Sequence, residues 1–90
     1  MKKATKKKIL NRMSYLAGHL NGVIKMVKED RYCIDIIRQN QAVIAAIEKV
    51  NEIILESHLE TCVKKAVESR NKKEQKKVFS EIVEIFKEKQ

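Results

Sequence analysis

The chain has 90 residues, 20 Lys or Arg against 12 Asp or Glu, no Pro and no Trp, only Gly18 and Gly22 as glycines, and 43% apolar residues. This length allows one small domain that buries too little surface to be comfortable as a monomer, and the composition points to an all-helical protein that self-associates. Without an apolar run of 18 residues there is no membrane span to expect, and the polar-interrupted stretch after the first lysines does not read as a signal peptide, so a cytoplasmic location is expected.

The charge is unevenly placed. Residues 1–28 carry eight Lys or Arg and no acid, whereas the remaining 12 basic residues are balanced by all 12 acids. The whole excess of +8 therefore belongs to one segment. Such a segment attracts polyanions through phosphate neutralisation and counterion release, although a solvated, solubilising tail has the same composition. It lacks Trp and Phe to insert into an anionic membrane surface.

A first helix is expected from about Thr5 to Lys28, because Leu10, Met13, Leu16, Ala17, Leu20, Val23, Ile24 and Val27 recur at steps of three and four. Asn21-Gly22 is a turn signal, but the helical period continues on both sides of it. Gly18 and Gly22 then share a face that a neighbouring helix could approach closely. A break is expected at 29–32, with Asp30 as N-cap of the next helix and Cys33 at its third position, beside unpaired backbone N–H groups.

The second helix reads from about Arg31 to Ser69, far longer than an average helix. On a wheel of 100° per residue, Ile36, Val43, Ile44, Ile47, Val50, Ile54 and Leu55 form one stripe that also holds Cys33, His58 and Cys62. Asp35, Arg38, Lys49, Glu56 and Glu60 lie opposite. Two shorter helices of the same chain cannot cover so long a stripe, so a second copy is expected to do it. The pattern lapses at 69–73, and Val78, Phe79, Ile82, Val83 and Phe86 mark a shorter third helix whose end from Lys87 is expected to fray, as are residues 1–4.

Cys33, His58 and Cys62 form a soft-ligand set. Two thiolates and an imidazole suit Cu(I), whereas zinc would want a fourth ligand and iron–sulfur clusters more thiolates. His58 and Cys62 are four residues apart and share a helix face. Cys33 lies 25 residues before His58, about 37 Å along a straight helix, so the three can meet at one ion only if two chains run antiparallel. The two-fold axis would then lie near Ile47, with Val43 facing the partner's Val50 and Asn40 near the partner's Asn51. The competing reading is structural, since cysteine is among the most buried residue types and a histidine on a helix is usually a partly buried polar side chain. Paired carboxylates, a phosphate loop and a nucleophile–base–orienter set are all missing, so no enzyme is expected.

The stretch Asp30-Arg31-Tyr32-Cys33-Ile34-Asp35-Ile36, with Ala42-Val43, Ala45-Ala46, Lys49-Val50, His58-Leu59 and Cys62-Val63, resembles the copper-sensitive operon repressor family, the CsoR group. Asn11-Arg12-Met13, Gly18 and Gly22 match its opening, and the resemblance covers about residues 8–67. It implies three helices per protomer with one very long central helix, paired as an antiparallel helical-bundle dimer and assembled into a tetramer. Residues 1–90 would form a single metal-sensing, DNA-binding domain without a helix-turn-helix. Cys33 of one protomer would bind Cu(I) with His58 and Cys62 of its partner, and metal binding would release operator DNA.

The resemblance also sorts the branches. Nickel- and cobalt-sensing members use additional N-terminal nitrogen ligands, and this N-terminus offers Lys, Ala and Thr side chains. The formaldehyde-sensing branch lacks the second thiol, and the persulfide-sensing branch lacks the histidine, so His58 favours copper. A persulfide or thiol-oxidation sensor and a copper-buffering protein without DNA binding are the alternatives. Tyr32 stands where the family has an aromatic around the metal site, although simple packing explains it equally well. A supporting glutamate is expected on the third helix near Val78, which Glu74 and Glu81 flank. DNA contact is expected from Lys6, Lys7, Lys8, Arg12 and Lys49, with His19 as a further candidate. The family usually has Gln at the position of His19 and often Arg at those of Tyr15 and Ile44.

Overall fold

The computed structural model describes residues 1–88, which are helical apart from short turns, with no strand among the described residues. Helix α1 runs Lys3–Lys28, α2 Cys33–His58, a π-helical turn Leu59–Val63, α3 Lys64–Ser69 and α4 Lys72–Glu88. The backbone is thus helical without interruption from Cys33 to Ser69, as the long second helix requires. Lys3, Ala4, Lys87 and Glu88 are helical too, so the helices reach further towards both ends than the charge runs suggest. Lys89 and Gln90 lie outside the described residues. The chain divides into two compact units, residues 1–55 and 56–90.

In the first unit α1 and α2 form an antiparallel hairpin. Ile9, Leu16 and Val50 make a buried cluster against which Ala46, Ile53 and Ile54 pack, and further towards the turn His19 meets Gln39. The buried residues of α1 are Ile9, Leu16 and Val23, and those of α2 in this unit are Val43 and Val50. Both sets are spaced by seven, the repeat that keeps one seam of a helix facing its neighbour.

The expected single apolar seam of α1 is therefore divided. Leu16 and Val23 face inward, while Leu10, Met13, Leu20, Ile24 and Val27 are exposed. The same division occurs on α2, where Ile34, Ile37, Ile44 and Ile47 are exposed. Val43 and Val50, expected to face a partner chain, are instead 6% and 3% exposed and covered within their own hairpin. A 100° wheel merges two adjacent rows into one stripe, and only packing tells them apart.

The link between α1 and α2 also differs from expectation. Asp30 has φ 55°, its N–H reaches Val27 O at 3.1 Å and the N–H of Arg31 reaches Met26 O at 3.0 Å. This pair of bonds is a Schellman motif, with Asp30 as the left-handed residue that ends α1, not the N-cap of α2. Asp tolerates that conformation because its short polar side chain can bond locally. The carbonyl of Tyr32 accepts from the N–H groups of Asp35 and Ile36, so Tyr32 precedes the first helical turn and Cys33 is its first residue.

In the second unit α3 also ends at a left-handed residue, Arg70 with φ 55°, but here the N–H of Asn71 goes to Ser69 Oγ at 3.3 Å. Asn71 then caps α4, its Oδ1 accepting from the N–H groups of Lys73 (3.1 Å) and Glu74 (3.2 Å). Gln75 Nε2 reaches back to Ala66 O at 3.3 Å, and Ala66 is 1% exposed. The Asn71 bonds satisfy N–H groups that open α4, and Gln75 serves carbonyls that the end of α3 leaves unpaired.

Candidate metal centre

Each expected metal ligand sits at an end or a break of a helix. Cys33 is the first residue of α2 and His58 the last of its 26 residues, so about 37 Å of helix separates them. Cys62 follows in the π-helical turn Leu59–Val63. Both cysteines are free and exposed, and His58 keeps 34% of its side-chain surface. Among the described residues of one chain, no three His, Cys, Asp or Glu side chains converge on a metal position.

The spacing of His58 and Cys62 predicts an unbroken α-helix between them, whereas the structure places a π turn there. A π turn holds one more residue than an α turn and changes how side chains beyond it are aimed. Two side-chain bonds accompany it. Thr61 Oγ1 donates to Ser57 O at 2.9 Å and lies 3.6 Å from Cys62 Sγ. Ser57 itself is 7% exposed. A threonine that bonds back to the carbonyl four residues earlier is a known cause of helix distortion, and the bond is visible only in the structure.

Of the two acidic candidates on the last helix, Glu81 is the one brought to the site. Its Oε2 stands 4.0 Å from His58 Nε2, longer than a hydrogen bond. Glu74 lies in the first turn of α4 and is exposed; its backbone, not its carboxylate, is what Asn71 engages. Tyr32 is 69% exposed, which removes packing within the chain as its explanation.

The donor set fits a soft cation. Two sulfurs and an imidazole are accessible, and such donors suit Cu(I), which accepts few ligands.

The expected DNA-contacting residues are dispersed. Lys6, Lys7, Lys8 and Arg12 are exposed along α1, whose first turn has no acid and no side-chain cap. Lys49 pairs with Glu52 at 3.4 Å, both exposed, and such a pair is worth little in solution. His19 is not a free surface group, because its Nε2 donates to Gln39 Oε1 at 2.8 Å. Beside it is an open groove of about 540 Å³ lined by Ser14, Tyr15, Gly18, Gly22, Met26 and Gln39. A Cβ built on Gly18 or Gly22 would meet nothing within 4 Å, so no helix of the same chain approaches them among the described residues.

Comparison with known proteins identifies the family. Residues 5–88 match the family model described as metal-sensitive transcriptional repressor. The copper-sensing transcriptional repressor CsoR of Bacillus subtilis is 38% identical over 82 residues, 91% of this chain and 78% of that protein. The CsoR of Mycobacterium bovis is 42% identical over 64 residues, 71% of this chain and 54% of that protein. The chain thus spans about half the length of the mycobacterial relatives it matches. The crystal structure of the copper-sensing repressor CsoR with Cu(I) from Geobacillus thermodenitrificans superimposes with a TM-score of 0.86 at 33% identity, covering 98% of this chain and 88% of that one. With the three-helix architecture and the family match over nearly its whole length, the chain belongs to the CsoR-like, metal-sensitive transcriptional repressor family.

Proposed function

We propose that this protein is a copper(I)-responsive transcriptional repressor that holds operator DNA when metal-free and releases it when Cu(I) is bound. The observation that carries the reading is the placement of Cys33 and His58 at opposite ends of α2, with Cys62 one turn beyond. An antiparallel partner brings Cys33 of one protomer to His58 and Cys62 of the other, twice per dimer. The exposed rows Leu10, Met13, Leu20 and Ile24 on α1 and Ile37, Ile44 and Ile47 on α2 supply the apolar surface for such a pairing. Assembly of two dimers into a tetramer extends the reading by family likeness.

In this mechanism Cys33 and Cys62 act as thiolates and His58 as a neutral imidazole, while Glu81 beside His58 supports its orientation, as carboxylates do for metal-bound histidines. Tyr32, adjoining Cys33, flanks the same site. Cu(I), when bound, supplies the cross-link between protomers. The exposed lysines of α1 and Arg12 neutralise phosphates, Lys49 contributes from α2, and the chain acts in the cytoplasm, where the operator is.

The test is an anaerobic titration of the metal-free protein with Cu(I) while operator binding is followed, repeated with Cys33→Ala. Loss of tight Cu(I) binding in the variant and loss of DNA affinity in copper-loaded wild type are expected. Equal Cu(I) affinity of variant and wild type removes Cys33 from the site. Copper-insensitive DNA binding by wild type favours a thiol-oxidation sensor on the same scaffold, for which both exposed cysteines are available.

A further inference from the structure

We infer that Thr61 is a positioning residue for Cys62, its hydroxyl holding the π-helical turn that aims the thiol. The inference rests on the copper-site reading for its metal arm only. Three observations meet at this side chain. It lies in the middle of the π-helical turn Leu59–Val63. Its hydroxyl donates to Ser57 O at 2.9 Å. The same oxygen lies 3.6 Å from Cys62 Sγ, within reach of a hydrogen bond involving sulfur.

Donor accounting assigns the roles. In an unbroken α-helix the carbonyl of Ser57 would accept from the backbone N–H of residue 61. Here the side-chain hydroxyl of that residue is also on this carbonyl, a second donor at the entry to the wider turn and of the kind that distorts helices. A threonine hydroxyl has one proton, and Ser57 O takes it. Towards Cys62 the oxygen is therefore the acceptor, and the S–H is the donor. Thr61 thus links the backbone of the turn to the sulfur it carries. Thr61 is half-buried, and Ser57 beneath it is 7% exposed, so the hydroxyl is not a freely rotating surface group. The S–H···O bond belongs to the metal-free thiol alone, because the thiolate that binds Cu(I) has no proton to donate. Towards the metal Thr61 acts through the turn that aims Cys62, and groups that orient metal ligands from outside typically carry a 10–100-fold effect on metal affinity.

The experiment compares wild type with Thr61→Val, which keeps the branched shape and removes the hydroxyl, and with Thr61→Ser, which keeps the hydroxyl. Two measurements are made on the full chain: amide hydrogen exchange across residues 57–66 without metal, and Cu(I) affinity by competition with a Cu(I) chelator. Thr61→Val is expected to change the exchange pattern of the turn and to weaken Cu(I) binding about 10–100-fold, with Thr61→Ser within about twofold of wild type. Thr61→Ala takes the place of the valine variant if that does not fold. An unchanged exchange pattern in the hydroxyl-free variant overturns the inference, as does a serine variant as impaired as the valine one. Unchanged Cu(I) affinity in a hydroxyl-free variant overturns it as well. Wild type that fails to bind Cu(I) removes the copper reading alone, and Thr61 is then decided by the exchange pattern.

Discussion

Truncating Ile47 to alanine should weaken the dimer without unfolding the hairpin. Ile47 retains 46% of its surface in the isolated chain, and complete burial of an isoleucine is worth about 1.5–3 kcal/mol. Covering the remaining half therefore contributes about 0.7–1.4 kcal/mol per copy, and two symmetric copies bring the loss to about 1.5–3 kcal/mol per dimer. That corresponds to about a 10–100-fold rise in the dimer dissociation constant. The internal cluster of Ile9, Leu16 and Val50 does not use Ile47, so the helical circular dichroism of the variant at high concentration should match that of wild type. Sedimentation across a concentration series measures the constant, with Arg38→Ala on the opposite face as the control. A dissociation constant unchanged by Ile47→Ala would refute the antiparallel pairing of α2 about this residue.

Arg12→Ala should lower operator affinity and flatten its dependence on salt by about one unit, the share of a single phosphate no longer neutralised, read from fluorescence anisotropy at several ionic strengths; a parallel, unshifted salt plot would place the DNA surface elsewhere. Glu81→Gln removes the charge facing His58, so Cu(I) should still bind but release less DNA, a loss of part of a coupling that is typically 1–3 kcal/mol. Undiminished release would leave Glu81 without a part in it. Asn71→Ala deletes the side-chain cap of α4 and should cost about 1 kcal/mol in urea unfolding, with no effect expected from Asn21→Ala in the middle of α1.

The helices are legible in the sequence because their signals are local and periodic. The step of three and four from Leu10 to Val27 and the stripe from Ile36 to Leu55 identify α1 and α2 to within two residues at most ends. Which apolar residues face inward is not legible. Leu16 and Leu20 look alike on a wheel, yet only the first is buried, because the choice depends on the crossing of two helices far apart in sequence. Asp30 misleads for a related reason: an Asp before a helix and an Asp after one carry the same sequence signal, and the left-handed φ of 55° decides for the second. Cys33, His58 and Cys62 stand out through ligand chemistry and spacing, while Thr61 does not, because a threonine in a helix attracts notice only once its hydroxyl is seen on Ser57 O. Glu74 and Glu81 cannot be separated by sequence, since the turn at 70 and 71 sets the phase of α4.

The π-helical turn also has a bearing on how this chain can change in length. Between Ile9 and Val23, and between Val43 and Val50, one added or deleted residue would rotate part of a buried row by about 100° away from its partner. Residues 59–63 are under no such restriction, because a π turn is the form a helix takes when it absorbs a single extra residue locally. A one-residue deletion there returns the backbone to ordinary α geometry and leaves both upstream rows in register. Length variation tolerated by folding should therefore concentrate in this turn and in the link at 29–32, and a deletion scan scored for helical content would map the same two places.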